Sequence, residues 1–144
     1  LRTPAFWLLA FAATYWSFYA MSLYEAGEPL VPRWLSVLVA CVGFAITMWA
    51  RISLGRNIGF VPAERRIVTS GAYAFVRHPI YTGLFINIVA VDLASFSWMN
   101  LLLDVVWIAM WIVKSLVEER FLRDSTEYAE YLQRVRWRWF PGIA

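Results

Sequence analysis

The chain has 144 residues, of which 61% are apolar, with nine Trp, a single Cys41 and a formal net charge of +3. A soluble domain of this size runs near half apolar, so the composition and positive mean hydropathy exclude an ordinary water-soluble domain and make the bilayer its solvent. One cysteine excludes an internal disulfide and leaves too few sulfur ligands for a structural zinc, so no metal site is expected. The charge is almost all arginine, placed at the flanks of apolar stretches rather than on one basic surface, which sets nucleic acid aside as a partner.

Residues 4–24 and 34–50 are each free of charged side chains. At about 17–21 residues they approach the roughly 20 that cross a hydrocarbon core of about 30 Å, and they predict two helical spans. The first starts with Pro4, suited to a helix N-terminus, and is too long and too aromatic for a cleaved signal peptide, so it is expected to remain in the mature protein. Residues 80–95 and 100–117 are shorter, carry Asp92, Asp104 and Lys114, and are separated only by Ser95-Phe96-Ser97-Trp98-Met99-Asn100, which predicts a tight helical hairpin. In the tail, Tyr128, Tyr131, Leu132, Val135 and Trp139 recur at three- and four-residue intervals among polar residues, the pattern of an amphipathic helix lying against the membrane surface. Trp137, Trp139 and Phe140 would then be interfacial aromatics, with Pro141 ending the helix.

The fold class expected is therefore an all-α integral membrane protein of about four transmembrane helices, the last two a hairpin, plus a C-terminal amphipathic helix. No repeat, low-complexity tract or linker divides it, so residues 1–144 read as one membrane domain, with two spans in 1–50 and a core in 51–144. The stretch 51–79 holds Arg51, Arg56, Arg65, Arg66 and Arg77 against Glu64 alone, whereas the first loop holds Glu25 and Glu28 before Arg33. The bias of arginine toward cytoplasmic loops places the central loop, the N-terminus and the C-terminal tail on the cytoplasmic side, where the two longest polar stretches can meet.

Several polar residues stand where hydrocarbon should begin. His78, the only histidine, precedes Pro79, whose ring disfavours helix at His78 and suits the first turn after it. That pinned imidazole reads either as structural or as a group whose charge change near neutral pH is used. Lys114 and Glu118 share one helix face at four-residue spacing, as a snorkelling pair at the interface or as the charged wall of a pocket. Asn87, Asp92 and Asp104 would face partners inside the bundle or lie near the interface.

Taken in order and spacing, Leu54-Gly55-Arg56-Asn57, Ile67-Val68-Thr69-Ser70-Gly71-Ala72-Tyr73, Arg77-His78-Pro79-Ile80-Tyr81-Thr82-Gly83 and Glu118-Glu119-Arg120-Phe121-Leu122, followed by Tyr128, Tyr131, Val135 and Pro141, resemble the isoprenylcysteine carboxyl methyltransferase superfamily. The resemblance covers roughly residues 50–141, while the first two spans match only as generic apolar helices. It implies an integral membrane enzyme that uses S-adenosylmethionine without a Rossmann domain, and the chain indeed has no Gly-x-Gly-x-x-Gly run. Carried over by motif position, cofactor contacts fall on Arg65, Arg66, Ile67, Val68, Tyr73, His78, Pro79, Ile80, Tyr81 and Glu118, and a substrate contact on Lys114. The chain departs from the pattern twice: Lys114 stands where a family member has arginine, which removes bidentate carboxylate recognition, and Ile58 stands at the position of a polar cofactor contact.

Methyl transfer from a sulfonium is an in-line displacement, so the protein aligns the reactants and excludes water, and no residue need act as nucleophile. A carboxylate acceptor needs no base. An amine or thiol must be deprotonated, for which His78 is the suitable side chain. Two other classes stay open: an intramembrane sterol-type reductase using NADPH, which shares an Arg-His-Pro-x-Tyr motif, and a non-enzymatic membrane scaffold. The Glu118–Leu122 run with Tyr128 and Tyr131 favours the methyltransferase, and with no extra domain to recruit a protein, a lipophilic small molecule or lipid is the acceptor expected.

Overall fold

A computed structural model of the chain describes residues 4–55 and 67–143. It is helical throughout: α1 (Pro4–Ala20), extended by a 3-10 turn at Met21–Leu23, then α2 (Arg33–Leu54), a 3-10 turn at Gly71–Ala74, α3 (Pro79–Ala94), α4 (Trp98–Leu122) and α5 (Thr126–Arg134). Among the described residues the only β-type pairing is an isolated bridge between Glu28 and Phe96. α2 and α4, with 22 and 25 residues, are long and apolar enough to cross a membrane. α1 and α3 have 17 and 16 residues and fall short of that length.

Local sequence explains the boundaries. Pro79 occupies the first turn of α3, where its missing N–H costs nothing. Ser97 and Ser125 cap α4 and α5, accepting from the backbone N–H of Asn100 and Tyr128. α2 ends at Gly55, whose φ of +55° favours glycine.

α3 lies mainly along α2, and α1 along α4. The α2–α3 crossing is close because it is made of small residues: a Cβ on Gly43 would stand 2.8 Å from both the Gly83 carbonyl oxygen and Asn87 Nδ2, and one on Gly83 would meet Thr47 Oγ1. α3 reaches α4, its expected hairpin partner, through contacts such as Tyr81 on Trp111, ring centroids 4.8 Å apart. At one end of the bundle the 24–30 segment is tied to the α3–α4 connection: Asn100 Oδ1 accepts from Glu25 N–H, Asn100 Nδ2 donates to the Glu25 carbonyl, and Ser95 Oγ accepts from Gly27 N–H.

At the other end the tail departs from expectation. The apolar spacing predicts helix through Trp139, yet α5 stops at Arg134 and Val135 is extended. The chain then runs beside the entry to α3, where Arg77 N–H and His78 N–H donate to the carbonyls of Trp137 and Arg138, each at 2.9 Å. Those amides precede the first turn of α3 and have no helical acceptor, so the tail gains more by serving them than by extending α5. Trp139 and Phe140 accordingly turn inward toward Phe85 instead of acting only as interfacial aromatics.

Candidate active site

The end of the bundle closed by the tail gathers most of the predicted polar residues into two linked networks. In the first, Lys114 and Glu118, one turn apart on α4, meet at 2.5 Å between Nζ and Oε1. Tyr81 on α3 completes the triangle: its hydroxyl accepts from Lys114 Nζ at 2.7 Å and donates to Glu118 Oε2 at 2.9 Å. Lys114 is 4% exposed, and its Nζ lies 5.2 Å from the Trp111 ring centre and 5.3 Å from that of Tyr81. Lys114 is thus an enclosed partner of Glu118 and Tyr81 rather than a snorkelling lysine, because a lysine reaching for water would not be enclosed by two rings.

The second network centres on Glu119, which is 2% exposed. Its carboxylate lies 3.2 Å from His78 Nε2, 3.4 Å from Arg77 Nη1 and 3.2 Å from Arg138 Nε. A buried carboxylate is costly unless its lone pairs are met, and here three side chains from two segments, residues 77–78 and the tail, meet them. Arg77 is further fixed by donating Nε–H to the Val135 carbonyl and Nη2–H to that of Arg136. The networks join through stacking of the His78 imidazole on the Tyr81 ring, centroids 5.3 Å apart and nearly parallel.

Tyr73 lies in the Gly71–Ala74 turn, held there by Ala72 N–H donating to Ser53 Oγ, while its carbonyl accepts from Tyr131 OH at 2.7 Å. Burial raises the Tyr73, Tyr128 and Tyr131 phenols above their ordinary value, so they serve at neutral pH as neutral hydrogen-bonding groups.

His78, Tyr81, Lys114 and Glu118 are thus brought together, while Tyr73 is tied to Tyr131 through its carbonyl. Pro79 is buried in the first turn of α3, and Ile80 packs against the core of Tyr81, Phe85 and Ile88. Ile67 belongs elsewhere, packed on the cluster of Tyr128, Tyr131 and Val135, and Val68 is half-buried next to it. Arg65 and Arg66, with Ile58, lie outside the described residues. Sequence reasoning assigned no role to Arg77, Glu119 or Arg138. Their signal was the second glutamate of the pair: neighbours on a helix point about 100° apart, so Glu118 and Glu119 cannot serve one partner.

The groups present suit a ligand of the S-adenosylmethionine type in donor and acceptor chemistry. Trp111 Nε1 and Trp139 Nε1 are buried donors with no acceptor among the described residues. Glu118, with 17% of its side chain exposed, remains open to a ligand's hydroxyl or amino groups.

The described residues are all-helical, with two helices long and apolar enough to cross a membrane and a buried polar cluster at one end of the bundle. The profile of the phospholipid methyltransferase family matches residues 31–128, about two thirds of the chain, and the chain belongs to that family, within the isoprenylcysteine carboxyl methyltransferase superfamily of membrane methyltransferases. The match takes in α2, which had looked generic, and ends inside α5, before the tail that supplies Arg138. No curated protein and no solved structure matches the chain.

Proposed function

We propose that the chain is a membrane methyltransferase that moves a methyl group from S-adenosylmethionine to a lipophilic or membrane-associated acceptor bearing a carboxylate, amine or thiol. The observation that carries this reading is the convergence of His78, Tyr81, Lys114 and Glu118 at one end of the bundle in a chain of this family. The family description favours a phospholipid acceptor over a prenylcysteine carboxylate, and it favours methyl transfer over NADPH-dependent reduction or a scaffold.

In this reading α1 to α4 all cross the bilayer, α1 and α3 with local thinning or flanking polar residues, and residues 1–144 form one domain. The central loop, N-terminus and tail face the cytoplasm. The meeting of residues 77–78 with 137–138 supports a common side for loop and tail.

The cofactor, when bound, supplies an electrophilic methyl group on a sulfonium. Glu118 and Tyr81 hold its polar groups, with Pro79, Ile80 and Tyr73 beside them; the motif resemblance also assigns cofactor contacts to Arg65, Arg66, Ile67 and Val68, of which Ile67 packs in the Tyr128–Tyr131 cluster. Lys114 fixes Glu118 and Tyr81 in position and offers the charge nearest a substrate headgroup. Tail residues Trp139 and Phe140 cap the cluster and keep water from it. His78 donates its Nε2 proton toward Glu119, which leaves Nδ1 with a free lone pair; this tautomer is the one suited to take a proton from an amine or thiol.

Calorimetric titration of the purified protein with S-adenosylmethionine, its demethylated product and NADPH tests the reading. Binding of the first two, lost in His78→Ala and Glu118→Ala, is expected. Binding of NADPH alone would assign the chain to the reductases, and binding of none would leave a scaffold.

A further inference from the structure

Toward the opposite end of the bundle from the candidate site, α1, α3 and α4 border a cavity of about 400 Å³. That is within the range of small-molecule pockets. Its body is apolar, formed by Phe18, Leu84 and Trp107, and its polar end is Asp104 with Tyr24. Phe18 and the neighbouring Met21 face outward, 75% and 73% exposed, so the mouth opens sideways toward lipid.

The polar end carries an unmet demand. Asp104 is 2% exposed; its Oδ1 accepts from Tyr24 OH at 2.5 Å, while Oδ2 receives no hydrogen bond. Asp92 on α3 likewise has a buried Oδ1 with no hydrogen-bond partner among the described residues. Among the described residues no Lys, Arg or His forms an ion pair with either aspartate. The other polar groups are engaged: Asn87 Nδ2 donates to the Gly83 carbonyl, and Trp107 Nε1 to that of Ala13. A buried carboxylate oxygen without a donor is costly, so what this end lacks is a positively charged donor.

We propose that the cavity binds a single-chain lipophilic amine in its protonated form, the ammonium seated on Asp104 beside Tyr24 and the alkyl chain lying along Leu84 and Trp107. The ligand enters from the bilayer, which conceals its chain while the headgroup finds the uncompensated Asp104 on the cavity wall. This site is separate from the methyl-transfer cluster: Asp104 and Glu118 are about 21 Å apart along α4 at 1.5 Å per residue.

The test uses the full chain in phosphatidylcholine nanodiscs, irradiated with a diazirine-bearing dodecylamine or with the matching dodecanol, and peptide mapping of the labels. The amine is expected to label residues 84–91 and 104–107, and the alcohol at least about tenfold less, as loss of charge-assisted hydrogen bonds implies. Asp92→Asn with Asp104→Asn should bring amine labelling down to the alcohol level. Leu84→Trp, which fills the cavity and leaves the carboxyls in place, should abolish it. Equal labelling by amine and alcohol in the parent protein overturns the proposal, as does labelling that persists in the double variant. Displacement by added phosphatidylethanolamine would also overturn it, since the occupant would then be a diacyl headgroup. Unchanged S-adenosylmethionine titration in the double variant shows that it is folded and keeps this result apart from the methyl-transfer reading.

Discussion

His78 Nε2 and Glu119 Oε1 stand 3.2 Å apart across 41 residues of sequence, and that contact ties the entry of α3 to the last turns of α4. Arg138 closes the same carboxylate from the tail, so three separate segments depend on one buried acid.

Removing that acid should therefore unsettle all three. Glu119→Ala leaves Arg77 and a partly exposed Arg138 without their counter-charge, and a loss of about 3 kcal/mol is expected from breaking a buried pair. Glu119→Gln, which keeps an acceptor for His78, should cost less. Thermal unfolding in detergent followed by tryptophan fluorescence checks this, and equal midpoints for Glu119→Ala and the parent would refute the hub.

Tyr81→Phe keeps the ring that stacks on His78 and deletes only the hydroxyl between Lys114 and Glu118. Loss of a hydrogen bond to charged groups is worth about 1.5–3 kcal/mol, so S-adenosylmethionine affinity should fall by about tenfold or more. Unaltered affinity by calorimetry would mean that Tyr81 packs beside the cofactor site without ordering Glu118.

At the α2–α3 crossing, Gly83→Ala places a methyl group against Thr47 Oγ1 and the Gly43 carbonyl. Overpacking of this kind costs about 1–3 kcal/mol. The unfolding midpoint should drop well below that of Leu84→Ala, a change at a half-buried neighbour, and a midpoint equal to the parent's would show that the helices separate freely.

Truncation after Arg134 removes the carbonyls that receive Arg77 N–H and His78 N–H, along with Arg138. The segment 67–78 should become sensitive to limited proteolysis, and cofactor binding should be lost although all four long helices remain. Protection equal to that of the full chain would show the tail to be a passive anchor.

If the acceptor is an amine or thiol, His78→Gln should lower turnover while retaining cofactor affinity, since no other side chain of the cluster is suited to take the acceptor's proton. Turnover equal to the parent's in His78→Gln would remove His78 from proton transfer.

Much of this was legible in the residues. The start of α3 at Pro79 follows from local backbone chemistry, and the Lys114–Glu118 pair follows from four-residue spacing on one helix. Both are short-range effects that need no knowledge of the rest of the chain. The third partner, Tyr81, came from motif resemblance, but its bond to Glu118 requires α3 and α4 to be placed side by side.

By itself the sequence determined a membrane-type composition, the number and approximate limits of its long helices, and the motifs of its family around His78 and Glu118. Those properties are carried by composition, local periodicity and short motifs. Only the tertiary structure decided that α3 lies chiefly on α2, where two glycines permit backbone contact that longer side chains would forbid. It also decided that the tail leaves its helical pattern at Arg134 to serve the free amides at the start of α3, and that Glu119 rather than Glu118 anchors His78. Each depends on where unsatisfied polar groups meet across long stretches of chain, and sequence spacing does not encode such meetings.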